Sequence, residues 1–237
     1  RSLPIIKTLL PNYREFDDSR YFYSLEKLAN EMDAKLENLL NPFESKHGNF
    51  ACILCEDGWD ADYHYSPLEF LTKKNPDLII NISCSPFTLN KNNKRNRTFS
   101  KQSAKYRLPI LYVNNVGIQN NGKTIFTFDG QSTIYHPNGS NETLLPPFQE
   151  ISKVFEYNKK QSIQITPTQS SEPEIKQIFE SLQYGTKLFL KQLGIKKVVI
   201  GLSGGIDSAV AAALYATILK PEDLLLVNMP SQFNAEL

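Results

Sequence analysis

The sequence predicts an α/β protein made of two successive segments with different textures. Three observations carry this. Apolar runs of strand length alternate with helical stretches through residues 1–155. A polar stretch rich in Gln, Ser, Thr and Pro then runs from Glu156 to Ser171. A strand, a Ser/Gly loop, a helix and a second strand follow it. With 237 residues, 41% of them hydrophobic, the chain can bury one large core or two small ones.

In the first segment, Phe50 to Cys55, Asp77 to Ser83 and Ile110 to Asn114 read as strands. Ser66 to Lys74, with Pro67 in its first turn, predicts a helix between the first two. Strand–helix–strand order then implies a parallel pair joined by a crossover. Ile125 to Phe128 and Gln131 to Tyr135 flank Asp129-Gly130 and predict a hairpin. Residues 156–171 read as a linker. Beyond it, Ser171-Glu-Pro-Glu174 has the form of a capping box. Ile175, Ile178, Phe179, Leu182 and Phe189 fall at helical spacing, and Gly194 supplies the C-cap. Lys197 to Leu202 is a β-branched strand, Ser208 to Leu219 an Ala-rich helix, and Leu224 to Met229 a further strand. This βαβ unit is expected to begin a doubly wound sheet that Leu237 leaves incomplete.

Composition excludes several classes of function. Lys and Arg number 26 against 25 Asp and Glu, so no basic excess points to a polyanion, and no nucleic-acid partner is expected. The basic run from Lys91 to Arg107 reads as solvated surface, with Lys91 as an exception. The longest apolar run, Ala209 to Leu219, is well short of the roughly 20 residues a bilayer requires, and no membrane association is expected. Three cysteines, Cys52, Cys55 and Cys84, are too few for a disulfide framework and suggest a reducing, cytoplasmic setting. Four glycosylation triplets, at Asn81, Asn96, Asn138 and Asn141, are expected by chance in an Asn-rich chain, and Asn81 lies in an apolar run. His47, His64 and His136 share no ligand spacing and read as surface or loop residues. The first residue is Arg1, so truncation at both ends is expected.

Gly201-Leu202-Ser203-Gly204-Gly205-Ile206-Asp207-Ser208 joins a strand to a helix. The glycines permit close approach of a ligand and positive φ. The amides and dipole of the following helix favour an anion. Without a Walker lysine the loop is no γ-phosphate grip of that type. Asp207 would repel a bare phosphate but fits one bridged by Mg²⁺. The bland alternative is a Gly-rich turn with no ligand. The loop closely resembles the pyrophosphate loop of the N-type ATP pyrophosphatases. That resemblance implies that Gly201 to Ser208 bind ATP and that Asp207 helps hold Mg²⁺. Asn228-Met-Pro-Ser-Gln-Phe233 resembles a stretch found in NAD synthetases.

Cys55 closes an apolar strand and precedes Glu56, Asp57, Gly58 and Trp59. A strand-end cysteine facing a cleft suits a nucleophile once its thiol is activated. A buried core thiol explains the local pattern equally well. Cys52-x-x-Cys55 raises a redox pair or a zinc half-site, but no second pair exists and positions three apart in a strand face opposite sides. Leu54-Cys-Glu-Asp-Gly-Trp59 resembles the nucleophile strand of the nitrilase superfamily, as found in the glutamine-dependent NAD synthetases. Lys7 to Phe16 is similar to the catalytic-lysine segment, and Asn81 to Phe87 followed by Lys91 to the glutamine-binding segment. Asn114 to Gly117 and Phe128 to Gly130 are similar to later strands.

The resemblance implies part of an αββα sandwich over residues 1–155, a linker over 156–171, and the start of an ATP pyrophosphatase domain over 172–237. Cys55 would attack the glutamine carboxamide, Lys7 would stabilise the oxyanion, and Tyr13, Ser85 and Lys91 would surround the substrate. Ammonia so released would amidate adenylated deamido-NAD to give NAD, AMP and pyrophosphate. The implied ligands are ATP, Mg²⁺, glutamine and deamido-NAD, and the implied assembly is a homo-oligomer. The triad glutamate of this family lies upstream of the lysine, and none of the six residues before Lys7 is Glu. A stand-alone amidohydrolase and a non-catalytic scaffold that lost this glutamate are the alternatives.

Overall fold

The computed structural model describes residues 4–14, 16–122, 124–154 and 173–230. Two compact units are present: Arg1–Val116 with Phe128–Ser171, and Gly117–Thr127 with Glu172–Leu237. The expected linker, the Ser171 cap and Ser231 to Phe233 lie outside the described residues.

The first unit opens with irregular chain and three short helices, α1 (Asp18–Tyr21), α2 (Leu25–Glu31) and α3 (Leu36–Leu39). The edge strand β1 (Phe43–Ser45) turns through Gly48 into β2 (Gly48–Leu54), its antiparallel partner. Ser66 caps α4 (Pro67–Thr72) by accepting from the Glu69 N–H, with Pro67 at the first helical position. That helix carries the chain to β3 (Leu78–Ser83), parallel to β2 as expected. A second crossover, α5 (Lys91–Tyr106), leads to β4 (Ile110–Asn114), parallel to β3. The core lies where Ala51, Ile53, Ile79, Ile110 and Tyr112 of the strands meet Leu68 and Leu71 of α4 and Phe99 of α5. Burying such side chains contributes about 1.5–3 kcal/mol each.

The predicted hairpin at Asp129-Gly130 does not form. β5 (Val116–Asn120) pairs instead with β6 (Ile125–Asp129). β7 (Thr133–Tyr135) joins the main sheet between β4 and β8 (Asn141–Thr143), antiparallel to both. Gly130 and Gln131 do take positive φ, 67° and 55°, as a tight turn would require. The strands part because Asp129 is held in the interior. Arg95 Nη1 and Nη2 donate to its two carboxylate oxygens at 2.7 and 2.9 Å, both side chains being essentially inaccessible. Arg95 corrects the reading of the Lys91–Arg107 run as solvated surface: one of its cations is core. His136 is likewise buried, and burial pulls its imidazole below the usual range.

In the second unit, α6 (Glu174–Leu193) starts after Pro173, which occupies the cap position itself, and ends at Gly194 with φ 68°. Gly185 is required there, because a Cβ would lie 2.7 Å from Thr127 Oγ1. β9 (Val198–Leu202) and β10 (Leu224–Asn228) pair in parallel through α7 (Ile206–Ala216), the expected βαβ unit. Gln183 Nε2 donates to Thr217 Oγ1 at 3.0 Å and ties α6 to the end of α7.

Replacing Arg95 by Met leaves the Asp129 carboxylate buried beside neutral partners. We expect a loss of about 3–5 kcal/mol in urea-induced unfolding. A loss below about 1 kcal/mol would show that the pair does not hold the first unit together.

Candidate active site

The site of the first unit lies at the carboxyl ends of β2 and β3. Cys55 does not close the strand. It is the first residue of a short 3₁₀ turn, Cys55–Gly58, and takes φ 47°. A non-glycine residue in the left-handed region is strained and persists only where its surroundings enforce it. Here Asn81 Oδ1 accepts the Cys55 N–H at 3.1 Å. Gly58 lets the turn press on α5, since a Cβ would meet Phe99 Cε1 at 2.6 Å. Asp57 is buried and accepts from the backbones of Thr8, Leu9 and Leu54.

Four of the five sequence-predicted residues of this centre line one cavity of about 1180 Å³: Cys55, Tyr13, Ser85 and Lys91. Lys7 is not on the cavity wall. Its ammonium pairs with Asp18, and its field still favours the Cys55 thiolate. Glu56, which sequence reasoning did not assign, also lines the cavity. Its carboxylate is buried and accepts from the Tyr13 hydroxyl at 3.0 Å and the Tyr63 hydroxyl at 3.0 Å. Ser85 is set by its backbone: its N–H donates to Asn114 Oδ1 at 3.0 Å, and its carbonyl accepts from Arg95 Nη2 at 3.0 Å. One sequence signal for Arg95 existed: it lies four residues before Phe99 and eight before Ser103, the other buried residues of α5, on one helical face.

Burial pushes the Cys55 thiol above its ordinary value, and the adjacent Glu56 carboxylate adds to the rise. The Cys84 backbone N–H, the Lys7 ammonium and the Ser83 hydroxyl pull it back down. Burial also raises the Glu56 carboxyl, opposed by the two tyrosine hydroxyls, Lys7 and Lys91. Cys52, Cys55 and Cys84 are all free thiols. No cluster of three metal-ligating side chains occurs among the described residues. No described helix is long and apolar enough to cross a membrane. Asn81 is fully buried, which suits its bond to Cys55 and not a glycan.

The candidate site of the second unit is the loop after β9. Gly204 takes φ 83°, and Gly205 caps a helix that begins at Ile206 and brings Asp207 and Ser208 into its first turn. Ser208 Oγ accepts the Ser203 N–H at 3.2 Å and donates to the Gly205 carbonyl at 3.0 Å. Ser203 Oγ accepts the Gly205 N–H at 3.3 Å. The helix has no side-chain cap, and the loop is open to solvent.

Residues 174–237 match the family model described as NAD synthase. A glutamine-dependent NAD(+) synthetase of Synechocystis sp. is 30% identical over 239 aligned residues, covering 97% of this chain and 40% of the relative. The chain is homologous to the glutamine-dependent NAD(+) synthetases. It spans about two fifths of the length of the relatives it matches. The fold agrees. The structure of the NAD+ synthetase of Acinetobacter baumannii in complex with ADP superposes with a TM-score of 0.78 at 27% identity, covering 97% of this chain and 40% of that one. The NAD(+) synthetase of Cytophaga hutchinsonii shares the fold at a TM-score of 0.59 and 18% identity, covering 90% of this chain and 33% of its own. The chain thus shares its fold with these synthetases, and residues 174–237 are the part that matches the NAD synthase model.

The electrostatics of Cys55 give a signed prediction for its alkylation by iodoacetamide, read peptide by peptide against pH. Glu56→Gln removes an anion that disfavours the thiolate and should lower the midpoint. Lys7→Met removes a cation that favours it and should raise the midpoint. Opposite movements would show that neither charge acts on the sulfur as described.

Proposed function

We propose that the chain carries the glutamine-hydrolysing centre and the ATP-phosphate loop of a glutamine-dependent NAD synthetase. In this reading residues 1–155 form the glutaminase part, 156–171 the linker and 172–237 the opening of the synthetase domain. The observation that carries it is the convergence of Cys55, Tyr13, Ser85 and Lys91, from separate segments, on one cavity of a chain homologous to these enzymes.

The Cys55 sulfur attacks the glutamine carboxamide carbon, the proton lost by its thiol passes to the departing nitrogen, and the C–N bond breaks with release of ammonia. The Lys7 ammonium stabilises the oxyanion that forms on the carboxamide oxygen. Water then cleaves the thioester to give glutamate. Glutamine is a zwitterion, and the cavity offers a group for each charge: Glu56 for the ammonium and Lys91 for the carboxylate. Tyr13, hydrogen-bonded to Glu56, orients that carboxylate. Ser85, with its backbone fixed at both ends, presents its side chain from the loop after β3.

In the second unit, Gly201, Leu202, Ser203, Gly204, Gly205, Ile206, Asp207 and Ser208 surround the phosphates of ATP. The positive φ of Gly204 and the start of α7 without a side-chain cap support this role. A single carboxylate beside such a loop suits Mg²⁺, which binds through one or two carboxylates plus substrate phosphates. Asp207 would hold it, and the ion would neutralise charge on the departing pyrophosphate. Ammonia then attacks the acyl carbon of adenylated deamido-NAD, and the acyl–phosphate C–O bond breaks with release of AMP and a proton. The enzyme acts on small molecules, as a homo-oligomer of the cytoplasm.

Cys55→Ala should reduce glutamine-driven NAD synthesis to background while ammonium chloride still supports it. Cys52→Ala removes a buried thiol at a cost of about 1 kcal/mol and should keep glutamine use. Glutamine-dependent synthesis by the Cys55 variant would overturn the assignment. Asp207→Ala should stop pyrophosphate release from ATP and deamido-NAD but leave glutamine hydrolysis intact. Unchanged pyrophosphate release would remove Asp207 from the ATP site.

A further inference from the structure

Asp57 lies two residues beyond Cys55 and does not line the cavity. The residue is only 2% exposed. Oδ1 accepts the Thr8 N–H at 3.0 Å and the Leu9 N–H at 2.7 Å, and Oδ2 accepts the Leu54 N–H at 3.0 Å. Thr8 and Leu9 directly follow Lys7, and Leu54 directly precedes Cys55. We propose that Asp57 is the positioning residue that sets the Lys7 ammonium against the Cys55 sulfur. This rests on the reading of Cys55 and Lys7 as the glutaminase pair.

The two segments are far apart in sequence, and no strand ladder joins them. Residues 4–12 have no regular secondary structure. The Lys7 carbonyl accepts from Leu25 N at 3.2 Å, which fixes one side of this segment to α2. Asp57 fixes the other side to the end of β2. A carboxylate suits the task because three N–H donors converge on two oxygens, and charge-assisted bonds are about twice as strong as neutral ones. Burying the charge without them would cost far more than any packing gain. An asparagine offers one acceptor oxygen and turns an NH₂ group towards the remaining donors. The Lys7 segment would then loosen from the Cys55 turn while the cavity wall at Tyr13, Ser85 and Lys91 stayed in place. A shift of about 1 Å in such a pair can cost about a hundredfold in rate.

The test is Asp57→Asn in the protein, with two readouts. The first is glutamine hydrolysis. The expected result is a kcat lower by about ten- to a hundredfold with KM for glutamine within about twofold of wild type. Ammonium-driven NAD formation should be unchanged. The second is the pH profile of Cys55 alkylation by iodoacetamide, resolved by peptide mass spectrometry. The groups facing the sulfur are Lys7, Glu56 and the Tyr112 phenol; loss of the Asp57 anion alone would lower the midpoint, so a displaced Lys7 is read as a rise towards that of Lys7→Met. The double variant should rise no further. A wild-type alkylation profile for Asp57→Asn, or a kcat loss matched by the loss of folded protein in circular dichroism, would overturn the proposal. If the asparagine variant is insoluble, Asp57→Glu takes its place with the same readouts, since it keeps the charge but lengthens the arm. The alkylation readout needs no turnover. If wild-type protein fails to hydrolyse glutamine, the glutaminase reading falls, and the alkylation profile still decides the role of Asp57.

Discussion

The buried pair between Arg95 and Asp129 is the interaction on which most of the first unit depends. Taking both charges out of water costs several kcal/mol per ion, offset here by bidentate geometry and by neighbours that use the remaining valences. Gln131 Nε2 also donates to Asp129 at 2.9 Å, and Arg95 reaches the Ser85 carbonyl at 3.0 Å. One pair therefore fixes the start of α5, the end of β6 and the loop after β3. Lys91 faces the cavity because the helix it opens is anchored one turn later by Arg95. The parting of β6 from β7 follows from the same constraint.

Both candidate centres sit at the carboxyl ends of parallel strands, where ligands of open α/β sheets bind. The physical reason is common to them. A parallel strand that hands over to a turn or helix leaves backbone N–H groups without ladder partners, aimed at whatever lies beyond the sheet. After β2 the turn lifts the Cys55 sulfur towards the cavity, close to the backbone N–H of Cys84. After β9 the Ser203 and Gly205 N–H groups are taken by the Ser208 and Ser203 hydroxyls, and the first turn of α7 is left without a side-chain cap. The two loops meet the same geometric problem, one beneath a thiol and one at an open helix start.

The sulfur of Cys55 is held between opposing influences. Burial and Glu56 favour the thiol, whereas Lys7, Ser83 and the Cys84 amide favour the thiolate. Glu56 carries a second duty, since its carboxylate gathers Tyr13 and Tyr63 at one end of the cavity. The Cys55 thiol and the polar end of the cavity are therefore coupled through adjacent residues, and a change at Glu56 acts on both.

Local pattern was enough for the strands β2, β3 and β4, their helical crossovers and the βαβ unit around Gly201 to Ser208. Strand-length apolar runs, Pro67 at a helix start and Gly194 at a helix end are short-range signals with short-range causes. The sequence by itself also picked out Cys55, Tyr13, Ser85 and Lys91, through motif resemblance to a known family. Only the tertiary structure decided the fate of Asp129-Gly130, where a strong turn signal yielded to a guanidinium 34 residues away in sequence. The same holds for Arg95, Asn81, Glu56 and Asp57, to which the sequence reading assigned no role of their own. Their roles come from hydrogen bonds across 26 to 49 residues of sequence or from burial by distant elements. A polar side chain carries no mark of burial in its own neighbourhood, because its partners are brought to it by the fold.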